Sequence, residues 1–306
     1  MKSLVIKLEP EVITDVCEAP VSAREKAAAY FELTKPRITF LIVLTAAAGY
    51  FLGATVSVGY ASFIHAMVGI ALLSSGIAAL NQFMERELDG LMRRTAGRPL
   101  PSGKLSPVQA FVFGALLTLA AEAYLAVFVN LLTAGLGVFV IAGYLLMYTP
   151  LKTRTSLSTV IGAFPGAMPP LMGWTAAAGE VGMGAWILFA ILFLWQFPHF
   201  LAIAWLYRED YGRAGVLMLP VVEPDGRLTA QQIVLFTLLL IPVSLFPTLI
   251  GMSGKVYFYS AIVLGALFLV SSVMAAVTRS NRQARMLLLA SVLYLPLLFA
   301  VMVINQ

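Results

Sequence analysis

Charge is scarce in this sequence. Only 11% of its 306 residues are Asp, Glu, Lys or Arg, against about 25% in a soluble globular chain. A soluble surface cannot be built from that material. Cysteine is scarcer still. Cys17 is alone in the chain, which excludes a disulfide framework and a cysteine-ligated metal cluster. The N-terminus lacks a short apolar core followed by a small-residue cleavage site, so no removable signal peptide is expected.

What is abundant is apolar surface. Hydrophobic residues make up 60% of the chain, and they recur in runs long enough for the roughly 20 residues of a membrane helix. The expected class is an all-α, polytopic membrane protein embedded in the lipid bilayer. Residues 1–24 are polar and acidic, and read as a poorly ordered leader to a single transmembrane domain over 25–306. "REKAAAYFELTKPRI", from Arg24, reads as an amphipathic interfacial helix broken near Pro36. Nine spans are expected after it, at 38–57, 61–81, 107–128, 131–149, 157–178, 185–206, 231–251, 256–277 and 286–304.

The net charge of +5 does not point to nucleic acid. In a membrane chain, Lys and Arg report orientation. Alternating the nine-span loops between two sides puts every Lys and Arg but Lys255 on one side. That side is expected to be cytoplasmic, with the N-terminus, and the C-terminus lies opposite. A polar cap of cytoplasmic loops follows. Two of those loops are long, and each follows an even-numbered span, which hints at an internal duplication.

The first long loop concentrates what the chain otherwise lacks. "NQFMERELDGLMRRTAGRPLPSGK" holds three acids and five bases between Asn81 and Lys104. Asn81, Glu85 and Asp89 are spaced by four, so a helix puts them on one face. Taken singly, each reads equally well as a solvated helix end, its acid paired with a nearby arginine. Together they form a set of hard oxygen donors. Such donors suit Mg²⁺, which takes carboxylates plus substrate phosphate. Arg93, Arg94, Arg98 and Lys104 follow directly. Acids backed by arginines suit a metal-bridged diphosphate, with guanidinium forks on the remaining oxygens. The second long loop repeats the mixture with Glu209, Asp210 and Arg213, and the loop after the fourth span adds Lys152 and Arg154. A diphosphate head on a hydrocarbon tail fits such a chamber.

The two histidines read differently. His65 is expected to be a structural group near the far interface. His199, in "LWQFPHF", lies eleven residues before Asp210, about 17 Å along a straight helix. It needs a partner in the membrane. It is a candidate for haem iron, for a base, or for a bond across helices.

These strings resemble the UbiA-type intramembrane prenyltransferases, and within them the members that farnesylate haem. The likeness runs over about 30–304. "ELTKPRI" resembles the family's opening, and "NQFMERELDGLMRRTAGRPLPSG" its first metal–diphosphate motif. "YTPLKTRTSLSTVIGAFPGAMPPLMGW" resembles the haem-branch signature, and "WQFPHFLAIAWLYREDYGRAGVLMLPV" the second motif. Glu85 stands where many members carry Asp. His199 and Leu206 stand at two second-motif aspartate places, leaving Asp210. Leu217 stands where many members carry proline.

The resemblance implies transfer of the farnesyl group of farnesyl diphosphate to a vinyl carbon of haem b, with water added, giving haem O. It implies Mg²⁺ on Asn81, Glu85, Asp89 and Asp210. Arg93, Arg94, Arg98, Lys152, Arg154 and Arg213 are then candidates for diphosphate or haem propionates. His199, Asp89 and Asp210 are the candidate catalytic residues, with His199 orienting haem or activating water. A bacterial cytoplasmic membrane and docking to a downstream haem O-processing enzyme or oxidase assembly complete the expectation. Two alternatives stand beside it. One is prenylation of a quinone precursor or chlorin, which fully aspartate motifs would favour. The other is a transporter or haem-binding scaffold, which polar residues at the bilayer midplane would favour.

Overall fold

In hydrocarbon, each backbone N–H and C=O must pair within its own segment or barrel. The computed structural model answers with helices and, among the described residues, no strand. It describes residues 21–54 and 59–306. Most of the polar 1–24 segment, with Cys17, lies outside the described residues, as does the end of the first expected span.

The interfacial helix α1 (Ala23–Leu33) opens with a capping box between Ser22 and Glu25, satisfying two otherwise free N–H groups. It stops before Pro36, as the sequence predicts. A residue before proline is pushed out of the right-handed helical region. Lys35 goes further and adopts φ 47°, ψ 59°. Pro36 then starts α2 (Pro36–Gly53), where its missing N–H costs nothing. The 32-residue α3 (Tyr60–Leu91) follows. At 1.5 Å per residue it is about 48 Å long, more than the roughly 30 Å hydrocarbon core. Its C-terminal turns carry the acids Glu85, Glu87 and Asp89.

After α4 (Pro107–Phe128), α5 (Leu131–Ile141) runs into a π-helical stretch, Ala142–Tyr148, and the short α6 (Thr149–Leu151). The expected span at 157–178 is not one helix. It is α7 (Ser158–Gly166) and α8 (Met168–Ala178), meeting at Ala167. Pro169 and Pro170 cause the break, because each lacks an N–H and clashes with the carbonyl four residues back. Then come α9 (Met183–Leu206), α10 (Arg208–Arg213), α11 (Leu219–Val222), α12 (Arg227–Val243), α13 (Phe246–Leu249), α14 (Lys255–Thr278) and α15 (Asn281–Ile304). Among the described residues, eight helical segments are long and apolar enough to cross a membrane, so the nine-span reading differs at the broken pair.

Two apolar cores hold the bundle. One joins α9, α12, α14 and α15 around Leu188, Leu240, Tyr257 and Phe268. The other joins α2, α3, α4 and α8 around Tyr50, Ile70, Leu125 and Leu171. Glycine lets α2 and α8 touch backbone to backbone. A Cβ on Gly49 would lie 1.9 Å from the Pro170 carbonyl oxygen, and one on Gly173 would lie 1.8 Å from that of Ala46. Small residues at crossings are how membrane helices approach closely without a hydrophobic drive between them.

Candidate functional site

The site grows from the exposed end of α3. Asn81, Glu85 and Asp89 fall on one face, as their spacing requires, and the fold covers that face. Their exposures are 1%, 8% and 1%. A buried carboxylate is stable only with a partner, and each has a base. Arg98 donates through Nη1 to both Asp89 oxygens, at 2.8 and 2.7 Å. Lys152 Nζ donates to Glu85 Oε1 at 2.5 Å. Lys35 Nζ donates to Asn81 Oδ1 at 3.0 Å, and Asn81 Nδ2 donates to Thr149 Oγ1 at 3.3 Å. Thr149 is free to accept because the π-helical stretch turns its own O–H onto the Tyr144 carbonyl. A π-bulge beside a functional site is a recurrent arrangement.

The second long loop arrives from α10. Asp210 pairs with Arg213 and accepts from the Arg94 backbone N–H at 3.3 Å. The Arg94 guanidinium lies 4.8 Å over the Tyr207 ring and donates to the Tyr211 hydroxyl. These contacts bring the two long loops to the same end of the bundle. The third loop is tied in by backbone, since Leu217 N–H donates to the Lys152 carbonyl at 2.8 Å. A proline at 217 has no N–H to make that bond. Burial alone would lower the Lys152 pKa, but Tyr148, Glu85 and Tyr144 outweigh it and hold the ammonium above its ordinary value. Burial raises the Tyr211 hydroxyl.

The structure thus gathers Asn81, Glu85, Asp89, Arg98 and Lys152, with Asp210, Arg94 and Arg213 beside them. Arg93 and Arg154 are exposed. His199 stands apart from the acids. Its Nδ1 is 2.8 Å from Ser291 Oγ on α15, and its ring stacks on Trp195. The helix also ends at Leu206, so the straight line from His199 to Asp210 is interrupted. Lys35, Thr149, Tyr211, Trp195 and Ser291 were not singled out from sequence. Lys35 had a signal, being a lone lysine wedged before a proline at the membrane edge. Ser291 had none.

Among the described residues, no three His, Cys, Asp or Glu side chains form a group that could hold a metal ion. The donor set still fits Mg²⁺. That ion favours hard oxygens, keeps several waters, and is bound through one or two carboxylates plus phosphate. Glu85 and Asp89 stand one helical turn apart, and Asn81 continues the face.

Comparison with known proteins agrees with this architecture. A model of the UbiA prenyltransferase family matches residues 42–304. The chain is 52% identical over 286 residues to the protoheme IX farnesyltransferase of Solibacter usitatus, covering 90% of this chain and 98% of that one. It is 51% identical to the protoheme IX farnesyltransferase of Koribacter versatilis, covering 90% and 93%. A solved digeranylgeranylglyceryl phosphate synthase shares the fold with TM-score 0.77 at 17% identity, over 92% of this chain and 98% of that one. A UbiA homolog from Archaeoglobus fulgidus bound to GPP and Mg²⁺ shares it with TM-score 0.61 at 15% identity, over 90% and 99%. This multi-pass membrane protein belongs to the UbiA prenyltransferase family.

Proposed function

We propose that the protein transfers the farnesyl group of farnesyl diphosphate to a vinyl carbon of protohaem IX, giving haem O and diphosphate. The observation that carries the reading is the set of acid–base pairs at one end of the bundle: Asp89 with Arg98, Glu85 with Lys152, Asp210 with Arg213. Relatives at 52% and 51% identity named protoheme IX farnesyltransferase supply the acceptor.

The Asn81 amide and the acids Glu85, Asp89 and Asp210 would hold Mg²⁺, which supplies Lewis-acid charge to the phosphate oxygens. Arg98, Lys152, Arg94, Arg213 and Lys35 stand beside those acids and take the oxygens that remain. Their charge stabilises the electron pair that leaves with diphosphate as the C1–O bond breaks. The vinyl π electrons then form the new C–C bond to farnesyl C1. The cation left on the haem side takes a water oxygen and releases one proton, leaving a hydroxyl. Apolar helix faces exclude competing water from the allylic cation. Exposed Arg93 and Arg154 would meet haem propionates, and His199 would hold the haem. The motif loops face the cytoplasm of a bacterial inner membrane, with the N-terminus on that side, and haem O passes to a docked downstream enzyme or oxidase assembly.

The test is direct. Purified protein receives haem b, farnesyl diphosphate and Mg²⁺, and pigments are analysed by mass. The expected product carries one farnesyl group and one hydroxyl. Unchanged haem under conditions where farnesyl diphosphate binds would overturn the acceptor assignment.

A further inference from the structure

His199 sits in a small hydrogen-bonded assembly that fixes which of its two nitrogens carries the proton. Ser291 Oγ donates to the Leu288 carbonyl on its own helix at 2.7 Å. That bond uses the only proton the hydroxyl has. Toward His199 Nδ1, 2.8 Å away, Ser291 therefore has only lone pairs to offer. With the Leu288 bond kept, Nδ1 is the donor of the pair, which puts the hydrogen on Nδ1 and leaves Nε2 bare.

The opposite arrangement is poorer. If Ser291 donated to a bare Nδ1, its bond to Leu288 would be lost, and Nε2–H would become a donor without a protein partner. One bond would replace two. Trp195 holds the ring plane. Its indole stacks on the imidazole with centroids 4.7 Å apart and planes at 21°, and its Nε1–H donates to the Ser291 carbonyl at 2.9 Å. The assembly thus joins Trp195 and His199 of α9 to Ser291 of α15, ninety-two positions later. Nε2 is not among the buried atoms that lack a partner, so it reaches accessible space.

We infer that Ser291 and Trp195 are positioning residues that hold His199 in the Nδ1–H tautomer and present bare Nε2 to the iron of the haem substrate. This rests on the haem reading above for its ligand, but not for its tautomer. A neutral imidazole nitrogen is a common iron ligand, and a hydrogen bond at the other nitrogen both fixes the tautomer and raises ligand basicity. Ligation there would orient the macrocycle without drawing on the acid–base cluster that serves diphosphate.

The experiment has two arms on the full-length protein in detergent. In the first, ¹⁵N-histidine labelling reads the protonated nitrogen of each imidazole without haem. The chain has two histidines, so His199→Gln removes one signal pair and assigns the other. The expected result is a protonated Nδ1 and a bare Nε2 at His199, shifting toward the other tautomer in Ser291→Ala and returning in Ser291→Thr. A wild-type Nε2–H signal would overturn the tautomer. In the second arm, haem b is titrated and the Soret band followed. Ser291→Ala is expected to bind about fivefold more weakly, the worth of one neutral hydrogen bond, with an altered band, and Ser291→Thr to recover. Farnesyl diphosphate binding should stay unchanged in both. Equal haem affinity and spectrum in wild type and Ser291→Ala would overturn the positioning role. No haem spectrum with wild type would overturn the ligation and the proposed function together, while the nitrogen signals would still decide the tautomer.

Discussion

Arg98 takes both carboxylate oxygens of Asp89, at 2.8 and 2.7 Å, from nine positions further along the chain. Asp89 is only 1% exposed. Both contacts come from the one Nη1 nitrogen, so a single corner of the guanidinium spans the carboxylate. A buried carboxylate needs a partner, and Arg98 supplies it.

Asp89→Asn tests whether that charge is used. The amide keeps the volume and removes the negative charge. Membrane insertion should be normal, and kcat/KM should fall by about 10²–10³, the range seen when one electrostatic group is lost from a preorganised site. Wild-type turnover by an inserted Asp89→Asn protein at limiting Mg²⁺ would remove Asp89 from the metal set.

Lys152→Met leaves Glu85 covered and without its base. Breaking a buried pair by removing one partner costs about 3–5 kcal/mol, and the 10–14% side-chain exposure of this pair places the expected loss toward the lower end. Thermal unfolding in detergent should fall clearly. Lys152→Arg keeps the charge and should unfold near wild type, with a raised KM for farnesyl diphosphate. Equal unfolding of Lys152→Met and wild type would show that Glu85 does not need the lysine.

Metal and diphosphate should bind as one event. Glu85, Asp89 and Asp210 are each already paired with a base, so a metal ion alone must break those pairs, whereas a diphosphate arriving with it takes the released bases. Mn²⁺ affinity, followed by electron paramagnetic resonance, should rise at least tenfold when inorganic diphosphate is present. A chelator should abolish turnover reversibly. Identical Mn²⁺ isotherms with and without diphosphate would contradict the exchange.

Gly173→Leu probes the α2–α8 crossing. Even a Cβ there would lie 1.8 Å from the Ala46 carbonyl oxygen, and backbone cannot step aside as a side chain can. Overpacking commonly costs about 1–3 kcal/mol, and this backbone contact should sit at the top of that range or above it. Loss of folded protein on size-exclusion chromatography is the readout, and Gly135→Leu, with nothing within 4 Å of its Cβ, is the control.

The proposed sidedness rests on charge. Ser102→Cys, in the first long loop, should react in spheroplasts only with a membrane-permeant maleimide. Glu180→Cys, in the exposed turn between α8 and α9, should react with an impermeant one. Labelling of both from the same side would contradict the assigned topology.

Much of this molecule was written locally. The helical class, the interruption before Pro36 and the shared face of Asn81, Glu85 and Asp89 each depend on neighbours within a few residues. Hydropathy, a proline's ring and a spacing of four settle them before any tertiary contact forms. The break at Ala167 was also encoded, in Pro169 and Pro170, but averaged hydropathy over 157–178 hides it. Partners were a different matter. Charge tells that Glu85 needs a base, not that the base is Lys152, sixty-seven positions later. Nothing near Asn81 points to Lys35, and nothing near His199 points to Ser291. Those pairings exist because helices distant in the chain cross at fixed places, set by backbone contacts such as Gly49 on Pro170. A sequence fixes what each buried polar group requires, since desolvation penalises every one without a partner. Only the packed bundle decides which group comes within hydrogen-bonding reach.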